Sequence, residues 1–296
     1  MTEIPAAKTC GRLVSTHPEN KGQLYICATP IGNLEDITLR VLRILREVDL
    51  IAAEDTRHTL KLLNHYDIKT PMTSYHEHNE AAKSVQLTDK LLGGTNIALV
   101  SDSGMPGISD PGRELIRRCH QLQIPMQICP GASAGLSALV LSGLCDGRHA
   151  FEGFLPRDKK KRKEILASLA TEHRTIVLYE APHRLLAALQ ELYEHLGDRQ
   201  IAVVREITKK FEEVRHGSLA EMIELYSENA VKGEFVLIIE RAAAAVQTWP
   251  EDIMFHVEHY VEMGLSEMEA MKKAARDRGV AKSEVYNAYK IKNSGV

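Results

Sequence analysis

The chain has 296 residues, 44% hydrophobic and 26% charged, which suits a globular protein with room for two domains and a small third. A formal net charge of −3 excludes nucleic-acid binding by bulk positive charge, so any such binding has to come from a local patch. No apolar run is long enough to span a membrane as a helix, and the five cysteines (Cys10, Cys27, Cys119, Cys129, Cys145) are scattered without a CxxC pair, which argues for free thiols.

Residues 1–21 are polar and lack the apolar core of a secretory signal, so they read as a disordered leader of a cytoplasmic protein. Short apolar runs at 24–28, 50–53, 71–75, 97–100 and 126–129 then alternate with helical patterns at 38–47, 79–92 and 113–122. That alternation predicts an α/β fold with a mostly parallel sheet covered on both faces, whose ligands bind outside the carboxyl ends of the strands. A seam is expected at 143–150, followed by a second α/β unit with strands at 175–179, 201–204 and 235–240. Residues 211–216 read as a further strand that starts a return hairpin, so the second sheet is predicted to be mixed. The alanine-rich stretch 242–250 reads as a linker to a helical tail. The expected organisation is therefore a leader at 1–21, α/β domains at 22–145 and 146–242, and a small C-terminal helical domain at 250–296.

The loops after the strands carry the chemistry. In Ser101-Asp102-Ser103-Gly104-Met105-Pro106-Gly107-Ile108-Ser109-Asp110-Pro111-Gly112, ten of twelve residues are Ser, Asp, Gly or Pro. A plain strand-to-helix connection needs two to six residues, so this stiff loop is suited to gripping a ligand with its backbone. Thr29-Pro30-Ile31-Gly32-Asn33-Leu34-Glu35-Asp36 and Pro130-Gly131-Ala132-Ser133-Ala134-Gly135 are similar. Each alone also reads as an ordinary turn; three on one sheet edge are more persuasive.

Glu54-Asp55-Thr56-Arg57-His58 brings charge to the end of the second strand, as a site or as a helix start capped by Asp55 with Arg57 paired to Glu54. Tyr75-His76-Glu77-His78-Asn79 ends the third strand; its His-x-His lacks a third ligand by spacing, so no metal site is assigned and a substrate-side contact is weighed instead. Segments 179–184 and 205–209 either close over a cleft or form solvated helix starts. There is no GxGxxG after a strand and no GxxxxGK[ST], which speaks against a dinucleotide Rossmann site and a P-loop NTPase.

At these residues the sequence resembles the tetrapyrrole methylase superfamily, in its branch that methylates small-subunit ribosomal RNA. The resemblance is carried in order by Ala28-Thr29-Pro30-Ile31-Gly32-Asn33-Leu34, Ala53-Glu54-Asp55-Thr56-Arg57, Ser101-Asp102 with Ile108-Ser109-Asp110-Pro111-Gly112, Pro130-Gly131, Glu152-Gly153-Phe154-Leu155-Pro156 and Tyr179-Glu180 with His183-Arg184. It runs from about residue 23 to 240, and the tail is also similar. Cys27-Ala28, Ser103 and Met105 depart from the usual pattern.

The resemblance implies two α/β domains with S-adenosylmethionine folded in the cleft between them, usually in a homodimer. It implies 2′-O-methylation of a cytidine ribose in the decoding region of 16S rRNA, with the small ribosomal subunit as partner and no membrane. The alternative left open is a small-molecule, tetrapyrrole-type methyltransferase. By the match, Pro30, Ile31, Asp102, Met105, Pro106, Ser133 and Ala134 are expected to hold the cofactor, with Tyr179, Glu180 and Phe235 from the second domain. Glu54 and Asp55 are the candidate proton acceptors and Arg57 a candidate phosphate clamp. For RNA, Arg157, Lys159, Lys160, Lys161, Arg162 and Lys163 put six basic residues into the seven of 157–163, read otherwise as a solvated helix face. The tail adds Lys272, Lys273, Arg276, Arg278, Lys282, Lys290 and Lys292. There Ser266 with Glu269 forms a capping box, Gly279 ends one helix and Ser283 starts the next, a helix-turn-helix-like pair for RNA docking or dimer packing.

Overall fold

A computed structural model of the chain describes residues 21–228, 231–243 and 252–293, the last four without their side chains. The expected leader up to residue 20, most of the expected linker, and the side chains of Lys290 and Lys292 lie outside the described residues. Two compact units divide between Ala242 and Ala243.

The first unit holds two sheets. In sheet 1, β1 (Leu24–Cys27), β2 (Leu50–Ala53), β3 (Met72–Ser74), β4 (Ile97–Val100) and β5 (Met126–Cys129) run parallel in the order β3-β2-β4-β1-β5. Parallel neighbours need long crossovers, supplied by α1 (Leu39–Glu47), α2 (Thr56–His65), α3 (Glu80–Leu92) and α4 (Arg113–Gln121). The two-residue period sorts the side chains: Tyr25, Cys27, Ala98 and Val100 pack against Val41, Ile44 and Leu45 of α1 and Leu63 of α2. Leu24, Ile26, Ile97 and Leu99 face Leu87 and Leu91 of α3 and Leu115 and Cys119 of α4. Both faces are covered, which is why β1 and β4 are apolar throughout. All five carboxyl ends lie on one edge, so the ligand loops converge there.

Sheet 2 is mixed, as expected. β6 (His149–Phe154), β7 (Thr175–Glu180), β8 (Gln200–Arg205), β9 (Glu213–Ser218) and β10 (Phe235–Ile239) lie in the order β6-β7-β10-β8-β9. Only β6 and β7 are parallel; β9 lies two residues further along at each end than the expected 211–216, and it ends a hairpin begun by β8 instead of starting one. α6 (Lys159–Leu169), α7 (Leu185–Leu196) and α8 (Leu219–Ser227) cover one face. The other face is covered by α5 (Ala134–Ser142), whose Ala138 and Leu139 pack on Val177, Ala202, Val204, Val236 and Ile238.

Two features differ from the expected boundaries. The expected seam at 143–150 runs into β6, whose register is broken between Phe151 and Gly153. α5, expected to close the first domain, packs on sheet 2 and so ties the two sheets together. Apart from Ser137 and Ser142 it is built of apolar residues and glycine, and Leu136 (54% exposed), Val140 (82%) and Leu141 (45%) point away from that sheet.

The second unit is three helices, α9 (Ile253–Glu262), α10 (Glu267–Arg278) and α11 (Lys282–Asn293), packed around Val257, Tyr260, Met271, Ala274 and Val285. Ser266 and Glu269 form the anticipated capping box, and Gly279 ends α10 in the left-handed conformation at φ 64°. Among the described residues, no helix is long and apolar enough to cross a membrane.

Candidate active site

The long loop after β4 is fastened at both ends. At its start, Thr29 and Gly104 exchange backbone hydrogen bonds (2.9 and 3.1 Å), so the loops after β1 and β4 are zipped together. The Thr29 hydroxyl donates to the Ser101 carbonyl at 3.1 Å, and the Ser101 hydroxyl to the Gly104 carbonyl at 3.2 Å. At its far end Gly112 sits at φ +143°, where a Cβ would lie 3.0 Å from the Gly107 nitrogen, so this turn requires glycine.

Gly112 is also the N-cap of α4 and has no side chain to offer. Glu80, on α3, supplies the cap: its Oε1 accepts from the backbone N–H of Gly112 (2.9 Å) and Glu114 (3.2 Å). The buried Tyr75 hydroxyl donates to the same carboxylate at 3.0 Å and accepts from Leu115 N–H at 3.3 Å. Tyr75 therefore holds the loop from behind. His76 and His78, weighed as substrate contacts, line neither of the cavities described below; His76 is held in a turn by Asn79, whose Oδ1 accepts its N–H at 2.9 Å. Among the described residues, no three metal-ligating side chains cluster.

Three carboxylates meet at the edge of sheet 1. Asp55 N–H donates to Asp102 Oδ1 (3.0 Å) and Asp102 N–H donates to Glu54 Oε2 (3.2 Å), a reciprocal latch between the loops after β2 and β4. Burial and the Asp102 charge raise the Glu54 pKa, against the hydrogen bond from Asp102 N–H. Asp110 is pushed up from the usual 3.8 to about 6, by burial and by the charges of Glu54 and Asp102. Asp55 behaves differently. The Arg57 guanidinium grips both its oxygens (3.1 and 2.7 Å) and holds its pKa low, while its Oδ1 caps α2 by accepting Arg57 N–H at 2.8 Å. Asp55 and Arg57, expected as proton acceptor and phosphate clamp, line neither cavity; their charges satisfy each other at the helix start.

A cavity of about 430 Å³ opens between this edge and sheet 2. Of the residues expected to hold a cofactor, Ile31, Asp102, Met105, Ser133, Ala134, Tyr179, Glu180 and Phe235 line it, together with Glu54. Pro30 lines a smaller neighbouring cavity, and Pro106 is buried and lines neither. The sequence reading missed Asp110, Phe154, Ile207 and Glu234. Asp110 was within the singled-out loop, but the signal for Glu234 is spatial: it immediately precedes the central strand of sheet 2.

Sheet 2 is aimed at this cavity by two contacts. The Tyr179 hydroxyl accepts the Gly135 N–H at 3.0 Å, fixing the start of α5, and the ring stacks edge-on to Phe151 and Phe154 (5.2 and 5.5 Å between centroids). Gly153, at φ +63°, makes the kink in β6 beside Ser109, whose Oγ would lie 3.2 Å from an added Cβ. Glu180 is buried and satisfied by Ala181 N–H (2.9 Å) and by Arg184 (3.5 Å). Gly131-Ala132-Ser133-Ala134-Gly135 has the spacing of a hydrolase nucleophile elbow, yet no histidine is among the described residues lining this cavity to take a proton from Ser133.

The basic run lies at the start of α6, capped by Asp158, whose side chain accepts Lys161 N–H at 2.9 Å. Arg157, Lys159, Lys160, Lys161 and Lys163 are exposed. Arg162 is turned away from this exposed row: its side chain is 12% exposed and pairs with Glu191 of α7, because its position on α6 faces the neighbouring helix.

The raised Asp110 pKa yields a pH-dependent expectation. The native state holds this proton more tightly than the unfolded chain, so between about pH 4 and 6 ionisation costs stability, and above that the cost is fully present. Asp110→Asn should raise the ligand-free Tm by a few degrees at pH 7.5 and leave it unchanged below pH 4. Equal Tm values at both pH values in calorimetric scans would show that this carboxylate is not strained by its surroundings.

Comparison with known proteins matches residues 23–223 to the family of tetrapyrrole (corrin/porphyrin) methylases. The chain is 47% identical over 278 residues to ribosomal RNA small subunit methyltransferase I of Halalkalibacterium halodurans, covering 92% of this chain and 96% of that one. It is likewise 47% identical to the protein of that name from Bacillus subtilis, covering 92% and 95%. Among solved structures it resembles a diphthine synthase (TM-score 0.58, 14% identity, 74% of this chain and 90% of that one). It also resembles uroporphyrin-III C-methyltransferase from Thermus thermophilus in complex with S-adenosylhomocysteine (TM-score 0.54, 21% identity, 74% and 97%). These two share the fold.

Proposed function

The chain belongs to the tetrapyrrole methylase family, and on that premise we propose that it transfers a methyl group from S-adenosylmethionine to small-subunit ribosomal RNA, at the ribose 2′-hydroxyl of a cytidine in the decoding region of 16S rRNA. The observation that carries the donor assignment is the 430 Å³ cavity with three carboxylates on one wall and apolar side chains on the other. Glu54, Asp102 and Asp110 suit a ligand bearing a sulfonium and an ammonium, while Met105, Ile207, Phe235 and Val236 suit an adenine ring. Ser133 and Ala134 are small enough to let the ligand approach the start of α5. The RNA assignment is supported by the names of the relatives.

When bound, the donor supplies a methyl group already activated by its sulfonium charge. The protein must then align the acceptor and remove its proton. Of the three carboxylates, Asp102 alone lines both the large cavity and its smaller neighbour, so it is positioned to hold the hydroxyl and take the proton. Glu54 steadies it through the Asp102 backbone. Arg157, Lys159, Lys160, Lys161 and Lys163 dock the RNA: Lys159 is five residues beyond Phe154 of the cavity wall, at most roughly 17 Å of chain.

The deciding experiment supplies radiolabelled donor with either small ribosomal subunits or a tetrapyrrole precursor, and maps the product by mass spectrometry. Label on one ribose of 16S rRNA is expected; label only on the tetrapyrrole would overturn the reading.

A homodimer is part of the proposal. Leu136, Val140 and Leu141 of α5, with Ile128 on the edge strand β5, expose apolar surface of the kind that marks an interface. Val140→Asp, 82% exposed and away from the core, should turn a dimer into a monomer in light scattering without lowering Tm below the monomer's own. An unchanged dimer mass would move the interface elsewhere.

A further inference from the structure

The smaller cavity, of about 310 Å³, lies alongside the larger one and shares a wall with it: Ile31, Asp102, Ser103 and Glu234 line both. Its inner surface is mixed: Thr29, Ser101 and Asp102 are polar, while Pro30, Ile31, Leu34 and Leu62 are apolar. Two basic side chains stand at its mouth. His58 and Lys61 stand one turn apart on α2, both exposed, and among the described residues neither forms an ion pair. Lys209, on the opposite side, is committed elsewhere: its Nζ lies 2.9 Å from both Glu206 and Glu234. Its stem packs on Gly32, where an added Cβ would meet Lys209 Cγ at 2.4 Å, so the loop after β8 touches the loop after β1 and walls the cavity off. Glu206 and Thr208 in that loop both have positive φ (50° and 65°), a strained backbone held by the contacts around it.

A chamber with Asp102 on the wall it shares with the donor site, and with a lysine and a histidine at its mouth, matches a ligand with a sugar hydroxyl at one end and an anion at the other. We propose that this second cavity receives the acceptor nucleotide, with its ribose against the shared wall and its phosphate between His58 and Lys61. The proposal rests on the reading that the larger cavity holds the methyl donor. It requires the nucleotide to leave its stack, because a base-paired residue cannot enter a chamber walled by three loops.

The test uses Lys61→Glu and His58→Gln in the full chain. S-adenosylhomocysteine affinity by calorimetry reports on the larger cavity, and KM for small-subunit rRNA over a salt series reports on the smaller. We expect KM for RNA to rise about tenfold or more in Lys61→Glu, the equivalent of losing one charged hydrogen bond. The slope of log KM against log salt should fall by roughly 0.7–0.9, with S-adenosylhomocysteine affinity unchanged. Arg117→Glu, on the exposed side of α4, is the control and should change neither. Unaltered RNA kinetics in both variants would overturn the acceptor site, as would a loss confined to S-adenosylhomocysteine affinity. Failure of the wild type to bind S-adenosylhomocysteine would instead remove the donor reading on which it rests.

Discussion

Asp102→Asn lowers the single-turnover rate of methyl transfer by about 10²–10⁴-fold, the range that a positioned proton acceptor contributes. Asparagine is the same size, and its amide oxygen can still accept the Asp55 N–H that now bonds Asp102 Oδ1 at 3.0 Å. The latch to Glu54 uses the Asp102 backbone, so it survives the change. What disappears is a negative charge and a proton acceptor on the wall shared by both cavities. Donor affinity should fall much less, because Glu54 and Asp110 still face the larger cavity. Glu54→Gln should show the reverse, with a weaker donor and a rate within about tenfold of wild type. If Asp102→Asn keeps most of its rate while Glu54→Gln loses it, the proton goes to Glu54, and the shared wall only positions the substrate.

Glu80→Ala should be the most damaging single change outside the cavity. It leaves the N–H groups of Gly112 and Glu114 without their acceptor and removes one partner of the buried Tyr75 hydroxyl. Lost caps and unsatisfied buried donors together cost about 2–4 kcal/mol. In a protein of this size that corresponds to a Tm lower by roughly 5–15 °C. The loop from Ser101 to Gly112 would also lose its far anchor, so donor affinity should fall with stability. Glu80→Gln, which keeps an acceptor without the charge, should recover about half of both losses. A Tm within about 2 °C of wild type for the alanine variant would mean that water replaces the carboxylate and that the cap is dispensable.

Much of this was legible in the sequence because it depends on local pattern. β2 and β4 begin and end where their apolar runs do, since a strand covered on both faces must be apolar throughout. The loop of 101–112 announced itself by composition, and eight of the ten residues expected around a cofactor line one cavity. What was not legible depends on partners distant in sequence. β6 mixes His149, Glu152 and Gly153 with its apolar residues because it is an edge strand kinked to reach Ser109, so its pattern resembled a boundary. Glu80 reads as an ordinary first-turn acid of α3, and only the structure shows it serving α4. Arg162 sits in a run of lysines, and nothing local distinguishes the one residue turned toward Glu191. Asp55 caps α2 as its spacing allows, but Arg57 pairs with Asp55 and not with Glu54, a choice between two neighbouring carboxylates that the spacing leaves open.

The order of strands in sheet 2 has a consequence for biosynthesis. β10 is the last strand of its sheet to be made, yet it occupies the middle, between β7 and β8. While the chain is growing, β7 and β8 have no partner on their inner edges until Phe235–Ile239 has left the ribosome. Sheet 1 needs nothing beyond Cys129, so half of the enzyme can be in place while the other half still presents two open apolar edges. A nascent chain stalled before residue 235 should therefore be an aggregation hazard and a client for chaperones, whereas one released just after 239 has every strand it needs to close.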